Sequence, residues 1–396
     1  MTRSPEVVVI GGGILGCAAA AFLAEGGARV TLYEREALAA GASGRNSGVI
    51  QQPFDPLLAP LYEASLPLYR QLQDETGWQI ASFDGPPAGL LLVSRDLDLV
   101  RAIAADLGAT FPSLRPEVLD GPGLRELEPS LAADVVACRL PLSYPVVPSA
   151  PTYAFATLAE RRGVEVRLGR EARPIVEDGR CVGVEVGGRV EPAGAVLVAA
   201  GPWSAALVDP SGGWRPIEPR WGVVVETLLA DPPHHVLEQA GMDEALGTGP
   251  KAHAEHDTGA TVGAREPAPT FSLMSAAGAS AVGSTFLADE PDPPAWMEPL
   301  LAHATTFVPA VADAPIREVR ACARPASADG RPIVGPIPWV EDLYVASGHG
   351  PWGISTGPAS ARQVADVILG RGAAIRPELA PERFAWPSAR SPERPT

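Results

Sequence analysis

Residues 7–36 read VVVIGGGILGCAAAAFLAEGGARVTLYERE, and this stretch restricts the fold more than any other. Residues 7–10 are a short apolar run of strand type. Gly11, Gly13 and Gly16 then give G-x-G-x-x-G. Residues 14–25, opening with Ile14 and Leu15, form a helix of small residues, and residues 29–33 form a second strand that ends at Glu34 and Arg35. Each part has a physical task. Gly11 permits a tight turn, Gly13 lets the backbone approach a pyrophosphate, and Gly16 allows helix and strand to pack closely. The helix N-terminus presents free N–H groups and a partial positive charge to phosphates. Glu34 stands where an acid accepts a hydrogen bond from a ribose hydroxyl and disfavours a 2′-phosphate. The unit therefore predicts a bound FAD or NAD rather than NADP.

The next segment, GASGRNSGVI (residues 41–50), distinguishes those two. A nicotinamide enzyme would continue into another βαβ repeat. Here a loop of small and polar residues follows, suited to wrapping a second phosphate–ribitol arm with N–H groups and hydroxyls. Ser43, Gly44, Arg45, Asn46, Ser47 and Gly48 are its candidate contacts, and FAD is the expected cofactor.

The 396 residues imply two domains. A net charge of −16 argues against nucleic acid and against an anionic membrane surface as partners. No apolar run approaches the ~20 residues of a membrane span. Cys17, Cys138, Cys181 and Cys322 lie far apart without a CxxC pair, which excludes a disulfide framework and the usual zinc spacings. With no export pattern in the opening residues, a reduced cytoplasmic setting is expected. His234, His235, His253 and His256 sit in a polar stretch without matching acids or cysteines. They are expected to be solvated loop residues rather than metal ligands.

Apolar spacing predicts helices over 57–78, 96–107 and 356–369 and a strand over 88–94. Alternating strands are predicted over 216–229 and 271–286, with an irregular polar excursion over 231–263 between them. The domain expectation is an FAD-binding domain from 1–80, 146–215 and 319–396, and a substrate domain from 81–145 and 216–318.

Five further motifs extend the pattern: GASGRNSGVI, AVLVAAGPWS (195–204), RPASADGRPIVGP (324–336), LYVASGHGPWGIS (343–355) and PERF (381–384). With the glycine unit, they resemble the family of D-amino-acid oxidase, glycine oxidase and sarcosine oxidase, FAD-dependent amine oxidoreductases, over nearly the whole chain. The glycine oxidases are nearest in motif. The resemblance implies an α/β fold: a Rossmann-like FAD domain of glutathione-reductase type and a second α+β domain built on an antiparallel sheet over the flavin. It adds Ala200, Gly201, Trp203, Gly348, His349, Gly350, Trp352, Gly353 and Ile354 to the cofactor contacts. It also places the N-terminus of the last helix at the flavin's pyrimidine end.

The same resemblance puts Arg324, in the Arg324-Pro325 dipeptide, on the substrate's carboxylate and beside the flavin. A planar guanidinium suits a carboxylate because it offers two parallel hydrogen bonds. Tyr62, Gln51, Trp221 and Trp352 are further pocket candidates. The implied reaction is hydride transfer from the Cα of glycine or an N-substituted glycine to flavin N5. The imine then hydrolyses to glyoxylate and amine, and dioxygen reoxidises the flavin to give hydrogen peroxide.

Two departures keep alternatives open. Pro351 stands where glycine oxidases carry a second arginine, and Trp352 where sarcosine oxidases carry a lysine. No lysine stands in GASAVGST (278–285), where sarcosine oxidases place one for the oxygen reaction. A D-amino-acid or sarcosine/proline-type dehydrogenase feeding a quinone or partner protein therefore stays open, as do a non-catalytic flavoprotein subunit and a homo-oligomer. Cys322 matches the position of covalent flavin attachment in sarcosine oxidases, whereas the Arg-Pro dipeptide belongs to the branch with non-covalent FAD, which is the expected form here.

Overall fold

In the computed structural model, residues 6–242, 268–372 and 374–384 are described. The strand Glu6–Ile10 lies inside a six-stranded sheet, in the order Ile333–Pro336, Leu343–Ser347, Ala195–Val198, Glu6–Ile10, Arg29–Glu34 and Glu165–Leu168. All pairings are parallel except the one between the first two strands. Such a sheet is covered on both faces, which explains why Val7, Val9, Val196 to Val198 and Leu32 are almost wholly buried.

The helix Ile14–Glu25 is buried through ten successive residues because Cys17 and Ala18 to Ala21 have no bulk to keep neighbours away. It packs against the helices Gly353–Ile368 and Ala150–Arg161. A three-stranded antiparallel sheet of Ala172–Glu177, Arg180–Val186 and Arg189–Pro192 shares a core with Val8, Ile10, Val196 and Val198 of the parallel sheet.

The second large sheet has eight strands, in the order Ile316–Ser327, Ile217–Thr227, Ala279–Gly283, Ser272–Ala276, Val236–Gln239, Leu90–Ser94, Val136–Leu140 and Glu117–Leu119. It is antiparallel apart from the parallel pairing of Val236–Gln239 with Leu90–Ser94. That strand lies within the stretch expected to be irregular. Only four residues long, it is specified by partners 146 residues before it in sequence and by Ser272–Ala276 after it. His235, expected to be solvated, is buried beside it. Its backbone N–H and that of His234 both donate to Glu128 Oε2, and its Nδ1 lies 3.0 Å from the same oxygen. His253 and His256 lie outside the described residues.

Local signals explain the boundaries of the other elements. The expected helix at 96–107 runs over Leu97–Thr110, with Asp96 as an N-cap accepting from the N–H groups of Asp98 and Leu99. The helix Ala59–Thr76 stops at Gly77, which takes the left-handed conformation with φ 80°. The last helix starts at Gly353, three residues before the expected start, after a turn over Gly350–Trp352. The PERF motif acquires a structural reason: Arg383 grips Asp329 with two hydrogen bonds of 2.6 and 3.0 Å, fixing the chain's last described turn to the segment after Arg324.

Candidate functional site

A cavity of about 860 Å³ runs between the parallel sheet and the eight-stranded sheet. At one end stand the glycine turn, Glu34, Arg35 and Trp203; at the other, Trp221, Phe286, Arg324 and Trp352. Gly11 has φ +116°, and a Cβ there would lie 2.4 Å from the Ala199 carbonyl oxygen, so the two adjacent strand ends meet only because it is glycine. A Cβ on Gly16 would come within 1.9 Å of the Gly11 oxygen, the close helix–strand approach expected of it. Gly44 and Gly348 likewise pack against protein, so these three glycines shape the wall without forming it.

Glu34 does more than await a ribose. Its Oε2 accepts from Gly12 N at 2.7 Å and its Oε1 from Glu36 N at 2.8 Å, fixing the carboxylate at the strand end. Each oxygen keeps acceptor capacity for a hydroxyl. Ile14 N donates to Ser43 Oγ at 3.0 Å, tying the first helix to the 41–48 loop. The Asn46 side chain is committed to that loop: its amide N–H groups reach the Ala42 and Ser43 carbonyls, and its oxygen accepts from Gly48 N. Arg35 stacks over Trp203 at 4.1 Å.

The residues present fit an extended dinucleotide. Gly201 and Gly350 line the cavity with φ of +57° and +53°, and a Cβ on either would meet nothing, so both leave backbone bare toward open space. The N-terminus of Gly353–Ile368 opens on the same cavity, with Gly353 and Ile354 in its wall. His349 is buried, with Nε2 3.0 Å from Ser360 Oγ, and burial pulls its pKa down to about 3. The ring at this wall is therefore uncharged at neutral pH.

Arg324 reaches into the cavity from the strand Ile316–Ser327. Its Nη1 donates to the Thr285 carbonyl at 2.9 Å, its Nη2 to Ser284 Oγ at 2.6 Å, and its Cζ lies 4.6 Å from the Phe286 ring centre. Burial pulls its pKa below the usual arginine range, yet a guanidinium stays protonated. Among the described residues no carboxylate lies within 4.0 Å of it, whereas Arg320 on the same strand is paired with Glu226 at 2.6 Å. Arg320 also donates to the carbonyls of Arg45 and Asn46 and so holds the 41–48 loop.

Cys322 lies between these arginines. Burial pushes its thiol pKa up, against the pull of Arg324, Arg320 and Arg45. Opposite Cys322 on the neighbouring strand is Gly222, where a Cβ would lie 2.3 Å from both terminal nitrogens of Arg324. The guanidinium lies directly across that glycine.

Two pocket expectations are corrected. Tyr62 does not line the cavity: it is buried in the core beneath the helix Ala59–Thr76, because helical spacing marks an inward face without choosing what that face meets. Gln51 is also behind the wall, held by Ser143 Oγ at 2.7 Å and donating to Glu238 Oε2 at 3.0 Å. Trp221 and Trp352 do line the cavity, with Phe286, Met274 and Glu238, which the sequence reading missed. Gly222 was also missed. Its signal was present, since a glycine inside the strand-like run WGVVV marks a close approach by another group.

A sequence profile of the FAD dependent oxidoreductase family (DAO) matches residues 6–367. The chain belongs to that family. Among its relatives, a D-amino acid dehydrogenase of Cereibacter sphaeroides is 30% identical over 78% of this chain and 68% of that protein. A glycine oxidase of Pseudomonas aeruginosa is 28% identical over 94% of this chain and 97% of its own. The crystal structure of a glycine oxidase from Bacillus cereus superposes with a TM-score of 0.76, at 23% identity, covering 94% of this chain and 99% of that one, and so shares the fold. This DAO-family member is an FAD-dependent oxidoreductase. Among its described residues no helix is long and apolar enough to cross a membrane.

Proposed function

We propose that the protein oxidises the Cα–N bond of an amino acid with a free carboxylate, glycine or an N-substituted glycine, giving an imine that water hydrolyses to glyoxylate and amine. The observation that carries this is Arg324: a cavity-lining guanidinium, braced by Ser284, Thr285 and Phe286, with no carboxylate partner among the described residues. A partly buried cation with no carboxylate partner among the described residues is matched by an anionic ligand. When bound, FAD supplies the two-electron acceptor. The chain's own part is orientation and exclusion of water. Arg324 fixes the carboxylate, Trp352, Trp221 and Phe286 give an apolar space for a nitrogen substituent, and the glycine turn and Glu34 hold the dinucleotide. The raised pKa of Cys322 supports FAD held without a covalent bond.

Reoxidation by dioxygen, with release of hydrogen peroxide, is the acceptor reaction we favour. A dehydrogenase passing electrons to a quinone or partner protein is the second reading. It is supported by the relative named D-amino acid dehydrogenase and by the lack of lysine over residues 278–285.

The test is anaerobic bleaching of the flavin by glycine, sarcosine, longer N-alkylglycines, D-alanine, proline and the matching amines without a carboxylate. Bleaching by N-alkylglycines that is lost in Arg324→Ala is expected. Equal bleaching by the decarboxylated amines would refute the carboxylate anchor, and slow reoxidation in air would favour the dehydrogenase.

A further inference from the structure

A second cavity, of about 540 Å³, adjoins the first at the 41–48 loop. Its walls come from residues 38–47, from residues 146–149 with Tyr153, from the hairpin of Ser272–Ala276 and Ala279–Gly283, and from the start of the strand Ile316–Ser327. Ala40, Arg45, Ser47 and Met274 line both cavities, so a single layer of residues parts the two. Arginine and methionine are long, unbranched and rich in rotatable bonds, so two members of that layer can swing aside without backbone movement. On the other side the cavity reaches the surface, where Val147 and Tyr153 in its wall are 43% and 38% exposed.

Charge decides what such a space admits. Three arginines and two glutamates line it. Arg317 pairs with Glu226 at 3.2 Å, and Arg320 pairs with Glu226 at 2.6 Å and with Glu318 at 3.4 Å. Arg45 has no carboxylate within 4.0 Å among the described residues. The wall is thus net positive in a chain of net charge −16. The Arg45 charge is also felt beyond the partition. Burial raises the thiol pKa of Cys322, and the charges of Arg324, Arg320 and Arg45 pull against that rise.

We propose that the second cavity is the substrate's way in: the amino acid enters from the surface, its carboxylate meets Arg45 at the partition, and it passes from there to Arg324. The proposal rests on the carboxylate reading of Arg324. A cation along the path draws an anionic group inward, whereas a neutral gas or ring gains little from it.

The experiment follows methoxyacetate, an unreactive carboxylate with the shape of sarcosine, as it binds to the FAD-loaded protein, by stopped-flow flavin absorbance. A route differs from a site in one respect. Obstructing it slows association and dissociation by the same factor and leaves the dissociation constant unchanged, because neither end state is altered. Ala279→Trp and Val147→Trp narrow the cavity from two separate elements. Each should slow both rates by about tenfold. Arg45→Gln should lower the association rate constant by about tenfold at low salt and flatten its dependence on ionic strength. FAD content and melting temperature are measured for each variant. Unchanged rates or a changed dissociation constant in the tryptophan variants, or a wild-type salt dependence in Arg45→Gln, would overturn the route. Slower reoxidation in air with unchanged methoxyacetate rates would make the cavity the acceptor's path and also overturn it. Should a tryptophan variant not fold, the other and the salt dependence decide. Should wild type not bind methoxyacetate, or Arg324→Ala bind it unchanged, the carboxylate reading falls first and the route with it.

Discussion

Gly222→Ala would separate the position of Arg324 from its presence. The added Cβ would lie 2.3 Å from both terminal nitrogens and 2.4 Å from Cζ of the Arg324 guanidinium. Those atoms are the far end of a flexible side chain, so the guanidinium yields rather than the strand. Gly222 needs no left-handed backbone, and alanine in a strand gains back ~0.5–1 kcal/mol of chain entropy relative to glycine. Stability should therefore stay near wild type. Ligand binding should not. A displaced guanidinium that keeps one of two hydrogen bonds to a carboxylate loses about 1.5–3 kcal/mol, or about 10- to 150-fold in dissociation constant. The assay is titration of an unreactive carboxylate followed by flavin absorbance, with thermal unfolding alongside. A dissociation constant within twofold of wild type would refute the placement of Arg324 across Gly222. So would a large fall in melting temperature, because the strand would then have moved instead.

Glu128 accepts from His234 N, His235 N and Ser130 Oγ, and its Oε2 lies 3.0 Å from His235 Nδ1. Glu128→Gln should cost about 1.5–3 kcal/mol in urea unfolding at pH 7. Burial alone would raise this carboxyl, but the bonds from His235 and Ser130 outweigh it and hold the pKa below its ordinary value. Its stabilisation is therefore present above the ordinary carboxylate range and lost as pH falls through the depressed value, a dependence that Glu128→Gln should remove. His349, pulled from 6.5 to about 3, contributes stability present above pH 6.5 and lost as pH falls toward 3, because the unfolded chain takes up the proton first. Melting temperature should accordingly fall between pH 7 and 5 in wild type and fall less in His349→Gln. Heat or acid precipitation should release all the flavin into the supernatant from wild type and Cys322→Ser alike; flavin left on wild-type protein would establish a covalent bond.

The dinucleotide end of the cavity was legible because its signal is local. Gly11, Gly13, Gly16 and Glu34 lie within one βαβ unit, and each acts through a neighbour a few residues away or on the next strand. Arg324 was legible through its motif. Glu238 and Arg320 were not, because each acquires its place from strand register, and the glycine in WGVVV marked a close approach at Gly222 without naming what approaches. Gly222 meets Cys322 across 100 residues of chain, and Glu238 meets Leu92 and Ser272 from opposite directions in sequence. Tyr62 shows the converse: a periodic apolar position carries the sign of burial but not the identity of the neighbour.

Arg320, Cys322 and Arg324 occupy alternate positions on one strand, the first gripping the 41–48 loop and the last facing the cavity. Alternate residues step by ~6.8 Å, so this strand acts as a gauge that fixes the distance from the cofactor loop to the carboxylate-facing guanidinium. Deleting or inserting one residue within it would turn one arginine away from the shared face. Length changes there are far less tolerable than exchanges of cavity-lining residues such as Phe286 or Met274 elsewhere in the wall. Evolution toward a new amine therefore has room to reshape the pocket's sides, while the interval between the loop-gripping Arg320 and the cavity-facing Arg324 stays fixed.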